Sequence, residues 1–424
     1  MNTIKNTLSL SIAICLLILL MSCKGFLEVS LAQIAAETEE NYELSDEQRV
    51  MVRNGNDFSF EFFKKIAENE KDSNVFVSTI GMFYSLNIIN NGASGATQQE
   101  ICKALNITPS DIEQMNKLCR RMIIGQAKIR DYKDYGPSSY MRTATLFQAG
   151  EKIDINDSFQ DILEQDYFAS IIKGNVNSKL QKEINEWCSE QTDGIIDNFP
   201  IERKDSKSAN LLVANYFNGK WIQEFYKEST KTEPFYYGTS SKVKMMNESE
   251  NEKQFTYAKL DDFSLLKIPY VGGYRLYVIL PEKLDGLVEL LHSLDNEKIR
   301  EAMRKLKTYD RINVKLPKFK VEYSFKANDY LKSLGISRVF YKTSELNKIH
   351  SEPMMITDIT QKAKVILDED GTRAGVITST SFVTLCAYTT HTEAYFYADH
   401  PFAYIITDPF GNYCFMGTFW GYNK

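Results

Sequence analysis

The spacing of apolar residues changes along the chain from a helical period to a strand period. In the first third, Phe58, Phe62 and Ile66 recur three or four positions apart, as on one face of a helix that Asp57 would cap. From about residue 140 onward, runs of β-branched and aromatic residues predict strands. Helices gathered at one end of the chain, with strands after them, predict an α+β fold.

Further signals name individual elements. Ser78 is expected to cap an apolar helix that ends near Gly92, and Thr97 with Glu100 matches a capping box for the next helix. One amphipathic helix is predicted over residues 284–306. The predicted strands cover residues 211–217, 265–270, 275–280, 311–321 and 355–367.

An uncharged segment follows the last of these strands. Between Arg373 and Glu393 no side chain is ionised, and Thr, Ser, Val, Ile and Ala predominate, which suits a half-buried pleated surface. Because side chains alternate along a strand, Arg373 would lie on one face and no charge on the other. The segment is either an ordinary exposed loop or edge strand, or a strand held in reserve for a sheet. The uncharged face would consist of Thr372, Ala374, Val376, Thr378, Thr380, Phe382 and Thr384.

Motifs spread over most of the chain resemble those of one family, the serpins. The serpin hinge reads Glu-Glu-Gly-Thr-Glu-Ala, and the similar run here is Glu369, Asp370, Gly371, Thr372, Arg373, Ala374 and Gly375. From about residue 50 to the C-terminus other motifs follow in the serpin order: Asn74-Val75-Phe76-Val77-Ser78, Asn91-Gly92-Ala93-Ser94-Gly95-Ala96-Thr97, Ile184-Asn185-Glu186-Trp187, Tyr216-Phe217-Asn218-Gly219-Lys220-Trp221, Leu316-Pro317-Lys318-Phe319, Ala398-Asp399-His400-Pro401-Phe402 and Phe415-Met416-Gly417. This resemblance implies a serpin fold of about three β-sheets and nine α-helices, with an exposed reactive loop at about residues 369–398.

The resemblance also implies a mechanism. Serpins inhibit serine endopeptidases, and in some cases cysteine endopeptidases, as suicide substrates whose cut loop inserts into a sheet and carries the acylated protease with it. The scissile bond of the family lies 14 residues beyond the hinge glycine, which places it here between Leu385 and Cys386. The chain from Leu385 to Pro401 is longer than in many serpins, so either the extra residues follow the cut or the bond is displaced toward Tyr388. An apolar residue at the bond implies chymotrypsin-like, elastase-like or subtilisin-like partners rather than trypsin-like ones.

Four residues correspond to the region where a serpin sheet opens: Ser78, Asn215, Trp221 and Gln361. Two of them depart from the family pattern. Gln361 stands where serpins usually have His, and the expected Asn is Val213, with Asn215 two positions on. A glutamine amide still donates and accepts hydrogen bonds, so a polar contact is expected there.

Composition and charge narrow the possible functions. The 424 residues show no linker and no repeat, which predicts one large domain over residues 51–424 and a monomer. A formal net charge of −6 argues against a nucleic-acid partner. The exception is a cluster of basic residues, interpreted as a solvated helix face: Lys117, Arg120, Arg121, Lys128, Arg130 and Lys133.

The N-terminus predicts export. An uncharged run over residues 8–21 follows Lys5 and is shorter than a membrane span, as in a signal peptide over residues 1–22. Leu20-Met21-Ser22-Cys23 resembles the lipobox of bacterial lipoproteins, so Cys23 is expected to be acylated. The polar, acidic segment 23–50 would then tether the domain to a membrane, on its periplasmic or its extracellular side.

Enzymatic chemistry finds little support in the sequence. HExxH, CxxC and GxSxG are absent, and Ser241 with Lys244 matches SxxK only on a predicted strand. The four His form no constellation, so neither an enzyme, a cofactor nor a metal is expected. Two alternatives to the inhibitor remain: a non-inhibitory serpin-fold carrier or chaperone, and an adhesive or receptor-type surface lipoprotein.

Overall fold

The computed structural model describes residues 43–199, 201, 208–237, 241–249, 254–372 and 392–422. Nine α-helices lie in this part of the chain, as expected from the resemblance. None of them is long and apolar enough to cross a bilayer. They are α1 (Asp46–Asn69), α2 (Thr79–Gly92), α3 (Gly95–Leu105), α4 (Ile112–Ala127), α5 (Asp157–Asp166), α6 (Ser178–Gln191), α7 (Leu287–Ser293), α8 (Asn296–Arg304) and α9 (Asn328–Ser333).

The strands of the described residues form three large sheets and one two-stranded hairpin. In chain order they are β1 (Val75–Val77), β2 (Asp131–Tyr132), β3 (Gly136–Pro137), β4 (Tyr140–Ala149), β5 (Ser170–Lys173), β6 (Ser208–Lys220), β7 (Lys231–Phe235), β8 (Ser241–Glu248), β9 (Thr256–Lys259), β10 (Phe263–Pro269), β11 (Arg275–Pro281), β12 (Arg311–Pro317), β13 (Phe319–Lys326), β14 (Met355–Asp368), β15 (Gly371–Thr372), β16 (Glu393–Tyr397), β17 (Phe402–Thr407) and β18 (Tyr413–Phe419).

Sheet A has the order β13-β14-β15-β6-β4-β5. Strands β6 and β14 run parallel and pair with each other from Ser208 and Met355 up to Ala214 and Lys362. Beyond that point they are neighbours of β15 instead of each other. Sheet A is therefore the only large sheet of the described chain in which a short strand separates two longer ones at one end.

The other two large sheets are sheet B and sheet C. Sheet B has the order β1-β18-β17-β11-β10-β9, and its strands β17 and β18 are buried at every position, as expected for a sheet covered on both faces. Sheet C has the order β16-β12-β8-β7, and β16 is its edge strand. Alternating exposed and buried residues along β16 show that one face of sheet C is open to solvent.

Three local expectations need correction. Helix α1 begins at Asp46 under a capping box between Ser45 and Gln48, so Asp57 lies inside the helix and caps nothing. Helix α3 begins after Ser94 rather than at Thr97. The helix expected over residues 284–306 is broken into α7 and α8. Helix α8 begins separately from α7 because Asp295 caps it: the Asp295 carboxylate accepts from the backbone N–H of Lys298 at 2.8 Å.

Other expectations are confirmed. Ser78 caps α2, which ends at Gly92, and its hydroxyl accepts from the backbone N–H of Gly81 at 3.2 Å. The apolar face of α1 is buried through Phe58, Phe62 and Ile66. The described helices and strands form the α+β architecture that the hydrophobic pattern predicts.

Candidate functional site: the hinge in sheet A

The hinge begins inside sheet A, whereas the sequence predicted a loop that stays outside it. Strand β15 lies antiparallel between β14 and β6. On one side Leu367 pairs with Thr372, and on the other side Gly219 does. Gly371 and Thr372, at the start of the segment predicted as a reserve strand, therefore already form a strand. The two flanking strands leave room for them at this end of the sheet.

Gly371 is required by a close approach of two backbones. A Cβ at this position would lie 1.9 Å from the carbonyl oxygen of Gly219, a distance that no side chain tolerates. The obstacle is backbone and cannot rotate away. Lack of side-chain volume, more than conformational freedom, is therefore the property of glycine that this position requires.

Thr372 is held by an aromatic pair. Its side chain is 2 % exposed, and its hydroxyl shares a 2.6 Å hydrogen bond with the hydroxyl of Tyr270. The ring of Tyr270 stacks on Trp221 with centroids 4.2 Å apart. The Trp221 indole in turn donates to the carbonyl of Asp368 at 3.0 Å. Burial raises the pKa of Tyr270 above its ordinary value, so this hydroxyl remains protonated.

Glu369 anchors the start of the hinge electrostatically. Its buried carboxylate accepts from Lys318 Nζ at 2.7 Å and from the hydroxyl of Thr230 at 2.8 Å. Its carbonyl accepts from the backbone of Phe225 at 2.9 Å. Burial raises the pKa of Glu369, but the hydrogen bonds and the charge of Lys318 outweigh it, and the pKa lies below its ordinary value. Next to it, Asp370 pairs with Lys227 at 3.0 Å.

An interval of sheet A separates the hinge from the closed part of the sheet. Direct pairing of β6 with β14 stops at Ala214 and Lys362, and β15 contacts these strands five residues further on. Residues 215–218 and 363–366 lie in between. Continued in the same register, residues 373–376 of the loop would fill these four positions, and any deeper entry requires the pair of Ala214 with Lys362 to separate.

Ser78 and Gln361 form a contact at the closed side of this interval. Both residues are fully buried. The Gln361 side chain accepts from the backbone N–H of Ser78 at 2.7 Å and donates to its carbonyl at 2.8 Å. The amide that replaces the usual serpin histidine thus connects β14 with the residue that caps helix α2, which is the polar contact expected at this position.

Asn215 lies at the first position of the open interval. Its amide donates to the Thr143 hydroxyl on β4 at 3.0 Å. Its Oδ1 oxygen is buried and has no hydrogen-bond partner in the described part of the chain. Gly81 of helix α2 leaves the space for this oxygen, since a Cβ there would lie 2.3 Å from it. An unsatisfied buried acceptor costs about 1 to 3 kcal/mol, which makes this position a local weakness in sheet A.

The comparison with family models decides the identity. The model of the family Serpin (serine protease inhibitor) matches residues 53–421. This chain is a serpin. The prediction of an α+β serpin fold is confirmed, and so is the prediction that the chain is not an enzyme.

Curated relatives cover nearly the whole domain. The serpin is 29% identical over 364 residues to Serine proteinase inhibitor 2 of Variola virus, an alignment that covers 85% of this chain and 98% of the relative. It is 26% identical over 370 residues to Serine proteinase inhibitor 1 of Vaccinia virus, covering 85% and 99%.

Solved serpin structures agree in fold. Native tengpin, a thermophilic serpin, superposes with a TM-score of 0.76 at 24% identity and covers 92% of this chain and 98% of its own. Serpin48 from the insect Tenebrio molitor gives 0.74 at 25%, with coverage of 90% and 100%. Human thyroxine-binding globulin gives 0.77 at 18%, with coverage of 88% and 98%.

Several predicted site residues lie outside the described residues of the serpin. These are the later hinge residues Arg373, Ala374 and Gly375, the reactive bond between Leu385 and Cys386, and the lipidation site Cys23. The chain is described again from Thr392, directly before strand β16. The hinge end and the far end of the reactive segment are therefore both fixed in sheets, one in sheet A and one in sheet C.

The predicted sheet-opening group separates into two places in the serpin. Ser78, Gln361 and Asn215 lie together at the closed end of the interval, whereas Trp221 lies at the hinge. Sequence reasoning missed Tyr270, which precedes a glycine turn about 100 residues from its partner Thr372 and carries no local signal. Lys318 had a signal, because it belongs to one of the serpin motifs, but its ion pair with Glu369 was not foreseen.

The basic cluster of the serpin is largely engaged within the chain. Arg120 lies over the ring of Phe168, Arg121 donates to the carbonyl of Glu43, and Lys117 pairs with Glu113 at 2.6 Å. Lys117, Arg120 and Arg121 lie on α4, as the interpretation as a helix face requires, whereas Lys128, Arg130 and Lys133 follow the end of α4 and are not part of that face.

We expect Glu369→Gln to destabilise the serpin in a pH-dependent way. Because the pKa of Glu369 is lowered on folding, its stabilisation is complete above the unfolded value near 4.5 and is lost as the pH falls through the lower folded value. The melting temperature of the variant should be lower at pH 7, and its difference from the wild type should shrink as the pH falls below 4.5 and through the lowered folded pKa of Glu369. Thermal scans across this range test it, with the exposed Glu228→Gln as a control; a difference that is constant with pH contradicts the assignment.

We expect Gln361→Leu to weaken the contact between β14 and helix α2. The substitution removes both hydrogen bonds and leaves the buried N–H of Ser78 without its acceptor, at a cost of about 1 to 3 kcal/mol. Denaturant unfolding of the uncleaved protein measures the loss. Gln361→His, which restores the usual serpin residue and a single hydrogen bond, should lose less. Equal stability of the Leu variant and the wild type would show that the contact carries no energy.

Proposed function

We propose that this serpin inhibits serine endopeptidases by trapping them after cleavage between Leu385 and Cys386. The observation that carries the proposal is the position of β15. The hinge already pairs with both neighbours, next to an interval in which β6 and β14 do not pair with each other, so the first step of insertion is already made. Cleavage would free the segment beyond the hinge, and each residue that enters gains backbone hydrogen bonds on two sides.

The length of sheet A supports the proposed bond. In the register of β15, each step forward along the loop corresponds to one step back along β14, starting from Thr372 against Leu367. Thr384 would then reach Met355, the first residue of β14. Leu385 would arrive just past the end of the sheet, about 45 Å from the hinge at about 3.4 Å per residue. An acylated protease would be carried along the full length of sheet A.

The inward face of the loop also supports trapping. Thr372 points into the buried side of sheet A, so Ala374, Val376, Thr378, Thr380, Phe382 and Thr384 would follow it to the same side. None of these residues carries a charge, and none is proline. A charged or prolyl residue on this face would favour the non-inhibitory alternative, and no such residue is present in the sequence.

The partners proposed are proteases with apolar specificity pockets. Leu385 suits chymotrypsin-like, elastase-like and subtilisin-like enzymes, and cysteine proteases form a further class because the trap needs only an acyl-enzyme. The curated viral relatives are named as serine proteinase inhibitors, which supports the class of partner. One apolar contact discriminates by only about 1 to 3 kcal/mol, so several enzymes are expected to react.

The experiment combines complex formation with a hinge variant. Wild type mixed with chymotrypsin should give an SDS-resistant complex and release a C-terminal fragment that starts at Cys386, read by mass spectrometry. Thr372→Arg places a charge at a position that is 2 % exposed and should turn the protein into a substrate. We expect the number of molecules cleaved per enzyme trapped to rise at least tenfold.

The control is Thr372→Ser, which keeps the hydroxyl that bonds Tyr270 and should trap like the wild type. Loop-cleaved wild type should also melt at a higher temperature than the intact protein. Absence of a complex with any enzyme of the panel, or equal melting temperatures before and after cleavage, refutes the trapping mechanism.

We also propose that the mature protein is an exported bacterial lipoprotein, acylated on Cys23. Glu43, the first described residue, lies twenty positions after this cysteine. At about 3.5 Å per residue they reach at most about 70 Å, enough to hold the domain clear of a membrane. A single acyl chain binds a bilayer only marginally, so more than one chain is expected on the N-terminal cysteine.

Cys23→Ala should move the protein from the membrane fraction to the soluble fraction. Cys15→Ala, which changes another cysteine of the same N-terminal segment, should stay with the membrane like the wild type. Fractionation after expression in a bacterial host, followed by immunoblotting, measures both. A Cys23→Ala protein that remains in the membrane fraction contradicts the proposed anchor.

A further inference from the structure

The half of the basic cluster that follows helix α4 lies on an exposed hairpin. We call residues 128–137, which contain strands β2 and β3, the aromatic hairpin. No third strand of the described chain pairs with these two. Three large side chains of the segment are exposed, Ile129 by 49 %, Tyr132 by 37 % and Tyr135 by 40 %. No other stretch of ten described residues exposes as many large apolar or aromatic side chains.

The aromatic hairpin is fixed to the body of the domain. The Arg130 carbonyl accepts from the backbone N–H of Ser138 at 2.6 Å, and the Arg130 N–H donates to the Ser138 hydroxyl at 2.9 Å. At the tip, the N–H of Tyr135 donates to the carbonyl of Tyr132 at 3.0 Å. The Lys220 ammonium, at the end of β6, donates to the carbonyl of Tyr135 at 2.7 Å. The exposed side chains are therefore carried by a backbone that is held at its base and at its tip.

The charges around the aromatic hairpin are mainly positive. The segment and the lysine that contacts it carry four positive and two negative charges: Lys128, Arg130, Lys133, Lys220, Asp131 and Asp134. Lys133 and Lys220 have no carboxylate partner in the described part of the chain. Because the whole chain has a formal net charge of −6, this positive excess is local. Exposed aromatic and aliphatic side chains beside basic ones suit the interface of an anionic bilayer, where rings lie at the headgroup level and cations meet lipid phosphates.

The start of the described chain lies against the helix that leads into the aromatic hairpin. The Glu43 carbonyl accepts from the Arg121 guanidinium at 2.9 Å, and the Gln48 side chain accepts from the same group at 3.2 Å. Arg121 lies on α4, which ends six residues later at Ala127, about 9 Å further along the helix axis. The segment that begins at Cys23 therefore joins the domain close to the aromatic hairpin.

We propose that the aromatic hairpin is a contact site for an anionic lipid bilayer. The inference rests on the proposed lipid anchor, which supplies the membrane, and adds to it a second contact that orients the domain. Ile129, Tyr132 and Tyr135 enter the headgroup layer, and the basic residues meet lipid phosphates. A contact of three side chains is weak and reversible. It orients a domain that is already tethered, and it does not retain an unacylated chain during cell fractionation.

The test uses the mature chain, residues 23–424 with Cys23→Ala, which has neither the signal peptide nor an acyl group. The protein is sedimented with an excess of vesicles of phosphatidylethanolamine and phosphatidylglycerol, and separately with vesicles of phosphatidylcholine. We expect binding to the anionic vesicles and about fivefold less binding to the neutral ones. For the Tyr132→Ser/Tyr135→Ser variant we expect binding to the anionic vesicles to fall about fivefold as well. Tyr341→Ser, which changes another tyrosine that is 51 % exposed, should bind like the parent.

Each outcome decides the inference. A double variant that binds like the parent overturns it, since the positive charges would then act alone, as toward any polyanion. A parent chain that binds neither kind of vesicle overturns it too. The lipid anchor is tested separately by fractionation. A chain that is not acylated, yet binds anionic vesicles through these tyrosines, contradicts the anchor and leaves the contact site standing.

A second measurement needs no substitution and uses the acylated protein. The protein is reconstituted into vesicles of either composition, and nitration of individual tyrosines is read by mass spectrometry. Tyr132 and Tyr135 should be nitrated about fivefold more slowly on the anionic vesicles than on the neutral ones, because the headgroup layer covers them. Tyr341 should react equally on both. Equal rates for all three tyrosines on the two kinds of vesicle contradict the contact.

Discussion

The parallel pairing of β6 with β14 ends halfway along the two strands, and the hinge depends on that interruption. Two parallel strands that separate present facing edges, and one antiparallel strand placed between them completes both ladders at once. Strand β15 does this over two residues. Beyond β15 lie four positions on each flanking strand at which β6 and β14 do not pair with each other. Further loop residues placed there would add backbone hydrogen bonds on both sides, and the proposed trapping mechanism relies on that gain.

Different interactions hold the two ends of this interval. At the hinge, the aromatic pair of Trp221 and Tyr270 and the ion pair of Lys318 with Glu369 fix the first loop residues in the sheet. At the closed end, the Gln361 amide ties β14 to the start of helix α2 through Ser78. The first set keeps the hinge inserted, and the second resists deeper insertion. In the proposed mechanism, opening of sheet A would break the second contact and leave the first in place.

Particular residues show what could be predicted and why the rest could not. The apolar face of α1, the cap at Ser78 and the hairpin of β10 and β11 follow from local spacing, and the structure contains all three. Asp57 was a plausible cap by type, yet the helix extends past it because Ser45 and Gln48 form a better start. The hydrogen bond between Thr372 and Tyr270 joins residues about 100 positions apart, so no local sequence pattern could predict it.

The sequence by itself determined the α+β class, the serpin motifs and the uncharged inner face of the loop. These are properties of neighbouring residues, and periodicity and side-chain type express them directly. The tertiary structure alone decided that the hinge is already inserted and that the sheet-opening residues occupy two separate places. Such features depend on which strands become neighbours. That choice is made by burial of the whole core, which no single segment of the chain encodes.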